Sequence, residues 1–234
     1  MSSADNNTLD PVLVEVVGSA LATIVEEMSE TLVKAAFSPN IKERRDCTAS
    51  LFDAEGGSPM HLGSLMGIVD GIRARFDDDE IREGDVFIGN DPYTGGGSHL
   101  PAIVLAEPIF VDGQVHAWAA SLAHHADFGD RGHAHIFQEA IRIPPVHLIR
   151  EGVLQQELLE VFLLNCQIPE ERKADLNAQQ AALRVARTRY LELIERYGAD
   201  QTAAVARELL DYTERRTRAA IAAMPDGVYP FEDL

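Results

Sequence analysis

Seven of the eight histidines of this 234-residue chain fall in one stretch, at His99, His116, His124, His125, His133, His135 and His147. Imidazole is the commonest protein ligand for divalent transition metals, so their gathering in the middle of the chain points to a metal. The stretch NDPYTGGGSH, from Asn90 to His99, follows directly on the apolar run GDVFI and sets an acid, a tyrosine and three consecutive glycines beside the first of these histidines. Gly95, Gly96 and Gly97 allow positive φ and close backbone approach. A loop that pliable, bounded by Asp91 and His99, is expected to admit a ligand. His124 and His125 are neighbours, and neighbours on a strand point to opposite faces, so one of them packs or supports while the other faces a metal. A divalent cation also needs anions. The candidates are Asp91 in the glycine loop, Asp127 after the histidine pair, and Asp46 in NIKERRDC.

Other chemistries lack their residues. There is no GxSxG elbow for a serine nucleophile and no GxxxxGK loop for a nucleotide phosphate. The GGG run has neither the spacing nor the βαβ setting of a dinucleotide site. Cys47 and Cys166 stand far apart without CxxC spacing, which suits buried thiols in a reducing compartment.

The elements that must position these groups follow from periodicity and punctuation. Asp10 before Pro11 is a helix start, and Leu13, Val16, Val17, Ala20, Leu21, Ile24, Met28 and Leu32 recur at helical spacing up to FSPN. From about Ile41 to Ile149 the runs DCTASLFDAEG, GDVFIGN, AIVLAEPIFVDGQVHAWAASLAHH and AIRIPPVHLI read as strands, with VDGQ as a hairpin turn. Gln155 to Leu164, Pro169 to Tyr197 and Ala199 to Met224 read as helices, punctuated by Pro169 and Gly198. The expected class is α+β: an N-terminal helix, a β-rich centre and a helical C-terminal third. The organisation expected is residues 1–150 for the helix and metal-site region and 151–234 for the helical region.

A net charge of −18 argues against nucleic acid, which demands clustered Lys and Arg. No apolar run reaches membrane-spanning length, and MSSADNNTLD has no signal-peptide pattern, so a cytoplasmic protein is expected. A turn and strand are only beginning at DGVYPFEDL. A second chain completing the fold, or further sequence, is therefore expected.

Several stretches together resemble the hydantoinase B family, the B-type subunit of N-methylhydantoinases, 5-oxoprolinases and the acetone and acetophenone carboxylases. They are SPNIKERRDCTASLFDAEG, HLGSL, GDVFIGNDPYTGGGSHLP, LAHHADFGD, IRIPPVHL and NCQIPEERKADLNAQQAALRVARTRYLELIERYG. The resemblance implies a subunit that works beside an A-type subunit, which binds ATP and phosphorylates the substrate or an intermediate. It implies a divalent metal, Zn or Mn, with His99 and His124 as ligands and Asp46 as a carboxylate ligand. Where relatives read HLPD this chain reads HLPA, so Ala102 removes an acid that serves as a ligand in ketone carboxylases. His147 is the replacement ligand considered. The segment between DAEG and MHLGSL is also shorter than in relatives.

On this reading the chain is a B-type subunit, or a split portion of one, of an ATP-dependent hydrolase of cyclic amides such as hydantoins or oxoproline. Asp91 and Tyr93 are expected to position substrate or a proton, with Glu43 or Asp127 as general base. A ketone carboxylase subunit and a non-catalytic assembly subunit are the alternatives.

Overall fold

Asp10 caps the first helix as the sequence predicts, its carboxylate accepting from the Val12 N–H at 2.9 Å while Pro11 takes the first helical position. The computed structural model describes residues 9–59, 65, 67–126 and 135–232. Helix α1 (Pro11–Ala35) is followed by the short α2 (Pro39–Lys42), strand β1 (Cys47–Asp53), α3 (Ile68–Arg73), a 3₁₀ turn at Asp78–Glu80 and β2 (Val86–Gly89). Then come β3 (Ala102–Val111), β4 (Gln114–His124), α4 (Ile136–Glu139), β5 (Val146–Arg150) and the two-residue β6 (Val153–Leu154). Three helices close the chain: α5 (Gln156–Leu164), α6 (Pro169–Tyr197) and α7 (Ala199–Ala222).

The six strands form one antiparallel sheet in the order β1-β4-β3-β2-β5-β6. Its centre is the β3–β4 hairpin, whose turn residues Asp112 and Gly113 have φ of 51° and 79°. Two positive φ values are what a two-residue hairpin loop with the twist of its strands requires, and VDGQ supplies residues that tolerate them. Both faces of the hairpin are buried, which is why AIVLAEPI reads as a continuous apolar run.

Alternation assigns the two faces. Ile103, Leu105 and Ile109 of β3 and Ala117, Ala119 and Ala123 of β4 lie in the cluster built with α1 and α6. Ala102, Val104 and Ala106 of β3 and Trp118, Ala120 and Leu122 of β4 lie in the cluster with Ile68, Val69 and Ile72 of α3. On the helix side, Val17, Leu21, Ile24, Met28 and Leu32 of α1 are buried at i, i+4, i+3, i+4, i+4 spacing. Each such side chain contributes about 1.5–3 kcal/mol on removal from water. Facing them on α6 is a row of small and apolar residues, Ala178, Ala182, Leu183 and Ala186. Leu159, Phe162 and Leu176 join the same cluster, so the apolar packing runs across residue 150 without a break.

Helix α6 also carries polar groups inward. Gln179 is fully buried, donates through Nε2 to the carbonyls of Ile103 (2.9 Å) and Ser121 (3.2 Å), and sets its Oε1 3.0 Å from His125 Nε2. Asp175 accepts from the Phe37 and Ser38 N–H groups at 2.8 and 3.1 Å, and Arg172 donates to the Ala126 carbonyl at 3.1 Å. These bonds fix the helix against the C-terminal end of β4, where two of the candidate ligands lie.

Candidate functional site

The register of the sheet decides which histidine is available. His124 ends β4 directly opposite Ala102, the first residue of β3, and the His124 N–H donates to the Asp46 carbonyl at 2.9 Å. Alternation puts His124 on the face of Ala102, Val104 and Leu122, and His125 on the opposite face beneath α6. His125 is the packing residue of the pair, fully buried, and burial lowers its pKa from 6.5 to about 4.

His99 comes from the other side of the same edge, three residues before β3. Its ring centroid lies 5.2 Å from that of His124 with a 37° interplanar angle, and its Nδ1 is 3.0 Å from Ser98 Oγ. His124 Nδ1 is buried and has no hydrogen-bond partner among the described residues. An imidazole nitrogen left so is costly and is the kind of group a ligand satisfies. The pair therefore fits two nitrogen ligands of a divalent ion. Among the described residues no group of three or more His, Cys, Asp or Glu is placed to hold a metal, so the described donors alone do not complete a shell. Ala102, whose Cβ faces His124 at about 5 Å by strand-pair geometry, offers no oxygen. Asp127 and His133 lie outside the described residues.

The other candidates take distinct places. Asp46 adjoins His124 through its backbone, but the residue is exposed and no acid side chain among the described residues groups with the two imidazoles. Glu43 is exposed at the end of α2. His147 does not join the pair. It pairs with Phe87 on β2, level with Ala106 and Ala120, and β5 is three strands from β4. That is roughly 13 Å along the strands and about 14 Å across them from His124. There its Nε2 lies 3.3 Å from the buried Asp85 Oδ2 and its ring packs 4.4 Å from Phe87 and 4.7 Å from Phe76.

The glycine loop differs from the pliable connection expected. Gly95 and Gly97 do have positive φ, of 98° and 128°. The loop is nevertheless packed backbone to backbone: a Cβ on Gly96 would meet the Asn90 N at 2.4 Å, and one on Gly95 would meet the Gly67 carbonyl at 2.3 Å. Gly71 of α3 completes the fit, since a Cβ there would lie 2.3 Å from the Thr94 carbonyl. The glycines are there for contact as much as for conformational freedom.

Asp91 organises that loop. Its backbone carbonyl accepts from Thr94 and Gly96, its Oδ2 accepts from Thr94 Oγ1 at 2.8 Å, and its Oδ1 accepts from Arg142 Nε (2.9 Å) and Nη2 (2.8 Å). Both carboxylate oxygens are thus engaged in a side chain only 4% exposed. Tyr93, by contrast, is 80% exposed. The Arg142 guanidinium lies 5.6 Å from the Tyr93 ring centre and 5.1 Å from that of Phe137, itself 74% exposed. Arg142 is the residue that sequence reasoning passed over, although it stands in the quoted run IRIPPVHL. The two cysteines are free, and burial pushes each thiol up to about 11, so neither is a nucleophile at neutral pH.

The description Hydantoinase B/oxoprolinase fits a family model that matches residues 10–234. The beta chain of a caprolactamase of Pseudomonas jessenii is 36% identical over 237 residues, 95% of this chain and 40% of that protein. The B-type component of a putative D-/L-hydantoinase of Pseudomonas sp. (strain NS671) is 31% identical over 97% of this chain and 41% of its own. Among solved structures, the ATP-dependent caprolactamase from Pseudomonas jessenii superposes with a TM-score of 0.85 at 35% identity, covering 94% of this chain and 40% of that one. A nucleotide-free acetone carboxylase gives 0.76 at 20% identity over 85% of this chain and 28% of its own, a likeness of fold. The chain spans about two fifths of the length of the caprolactamase and hydantoinase relatives.

Proposed function

The chain belongs to the hydantoinase B/oxoprolinase family, and from that premise we propose that it is a B-type subunit, or a split portion of one, of an ATP-dependent cyclic amide hydrolase. It acts beside an A-type subunit that binds ATP. The observation that carries the reading is the 36% identity to the caprolactamase beta chain, which extends over 95% of this chain. The ketone carboxylase alternative keeps only a likeness of fold at 20% identity.

In this reading His99 and His124 hold a divalent metal, Zn or Mn, with Asp127 or Asp46 as the anionic ligand. Such an ion, when bound, polarises a carbonyl or phosphoryl oxygen or lowers the pKa of a water. The protein's own residues do the positioning. Asp91 keeps the glycine loop in shape, so that His99 meets His124 from the opposite side of the sheet edge. Tyr93, exposed on that loop, contacts the substrate. Glu43 or Asp127 takes the proton as general base, Glu43 lying three residues before Asp46 and so on the connection that abuts His124.

Reconstitution with an A-type partner tests the proposal. The complex should hydrolyse a cyclic amide only with ATP, and this chain alone should turn over neither. His99→Ala and His124→Ala should each lose stoichiometric metal by elemental analysis while the helical circular dichroism persists. Full metal retention in both variants would sink the metal assignment, and ATP turnover by the chain alone would overturn the division of labour. A complex that assembles with metal yet acts on no cyclic amide would favour the non-catalytic assembly role.

A further inference from the structure

Arg142 engages Asp91 at the root of the glycine loop, and we propose that it binds the carbonyl oxygen of the cyclic amide. The proposal rests on the reading in the preceding subsection and names the group that anchors its substrate. Arg142 turns one edge to the protein, with Nε and Nη2 both on Asp91 Oδ1. Its Nη1 has no partner among the described residues, and the side chain is 30% exposed. The rings of Tyr93 and Phe137 lie within 5.6 Å of its carbon centre. A guanidinium held on one edge and stacked against two rings keeps a fixed fork of donors, so little ordering remains when an acceptor arrives.

Its backbone is held as firmly. Asn90 Nδ2 donates to the Ile141 carbonyl at 2.8 Å, and the Ile143 N–H donates to Asn90 Oδ1 at 2.6 Å. The residues on both sides of Arg142 are thereby stapled to the root of the loop that carries Tyr93 and His99. Beside the guanidinium lies a hollow of about 420 Å³, lined by Asp91, Phe137, Ala140, Arg142 and Pro144. That is within the roughly 300–1,000 Å³ of small-molecule sites.

Charge selects the ligand class. Asp91 cancels the charge of Arg142, so an anion entering the hollow would gain little from the arginine and would meet the carboxylate behind it. A neutral carbonyl meets no such opposition and still receives a charge-assisted hydrogen bond from Nη1. The exposed rings supply apolar faces for the methylenes of a small ring. A lactam has both parts, an acceptor oxygen and a hydrocarbon arc.

The test is a titration of the intact chain with ε-caprolactam, and separately with inorganic phosphate, following the Arg142 Nε–H signal by ¹H–¹⁵N NMR with Arg142→Lys for assignment. Caprolactam should move that signal and the Tyr93 and Phe137 ring signals along one saturating curve, and phosphate at equal concentration should not. Binding should weaken about tenfold in Arg142→Lys, the loss of one such hydrogen bond, and measurably in Phe137→Ala, whose exposed ring the fold does not need. An unmoved Arg142 signal, or a larger shift with phosphate, would overturn the proposal. If Arg142→Lys fails to fold, unchanged affinity in both Phe137→Ala and Tyr93→Ala would do the same. A reconstituted complex that hydrolyses caprolactam without any shift at Arg142 refutes this inference and spares the function. Binding at Arg142 in a chain whose complexes hydrolyse no cyclic amide refutes the function and spares this inference.

Discussion

Acidification should weaken this fold through His125 in a window set by one ring. His125 is fully buried, its Nε2 faces the Gln179 oxygen at 3.0 Å, and its Nδ1 is buried without a partner among the described residues. Nε2 therefore carries the proton of the neutral ring, and a second proton would have to go to Nδ1, where no described residue accepts it. Desolvation dominates, offset in part by the Gln179 bond and Asp175 and reinforced by Arg172 and His124, and brings the pKa from 6.5 to about 4. Because the folded state binds this proton less readily than the unfolded chain, stability falls as pH drops below about 6.5, and the loss is complete below about 4. Above pH 6.5 the ring contributes no pH dependence. At about 1.4 kcal/mol per unit, the shift corresponds to a loss of about 3 kcal/mol across the window and about 2 kcal/mol by about pH 5. Against a typical stability of about 5–15 kcal/mol, that is a readable fraction. Urea unfolding of the wild type and of His125→Gln, which cannot titrate and can still donate to Gln179, isolates the effect from every other ionisable group. The difference in unfolding free energy between the two proteins should change by about 2–3 kcal/mol between about pH 7.5 and about pH 4.5. A difference that stays flat, or an NMR titration of His125 with a midpoint near 6.5 in the folded protein, would refute the reasoning.

Two further outcomes are expected. Gly71→Ala should lower Tm and disturb the NMR signals of Thr94 to Gly97, because its Cβ would lie 2.3 Å from the Thr94 carbonyl; Gly113→Ala, with open space around it but a φ of 79°, should cost only about 1 kcal/mol of backbone strain. Ala102→Asp places a carboxylate opposite His124 in a fully buried position, so it should lower Tm without metal and tighten Zn binding by calorimetry relative to wild type; weaker binding would mean that another residue already fills that place.

What the sequence made legible is what local physics decides. The Asp10–Pro11 start, the VDGQ hairpin and the helices that follow Pro169 and Gly198 are punctuated by residues whose conformational limits hold in any context. The opposite orientation of His124 and His125 follows from strand alternation alone, and the structure adds which is which. What the structure adds to the reading comes from partners distant in sequence. GGG read as slack because Gly67 and Gly71, against which the loop packs, lie more than twenty residues earlier. The Arg142 bond to Asp91 was not legible because Arg142 comes 51 residues later. His147, considered as a replacement ligand for the acid missing at Ala102, lies apart from His99 and His124 because the strand order sends β5 to the far side of β2. Arg142 itself drew no attention, since an arginine between two isoleucines reads as an ordinary outward strand position.

The seam between α1 and α6 has a consequence for how the chain is made. Val17, Leu21, Ile24, Met28 and Leu32 are buried beside a helix whose facing residues come about 150 positions later. At roughly 5–20 residues per second, the ribosome needs about 8–30 s to supply them. For that interval the side of α1 that α6 covers stays open, and only α2 and the strands, made earlier, pack against the rest of its apolar face. Packing of the first helix is therefore completed only after α6 is made, which makes this stripe a natural place for a chaperone to hold the chain and a place where stalled synthesis would lead to aggregation.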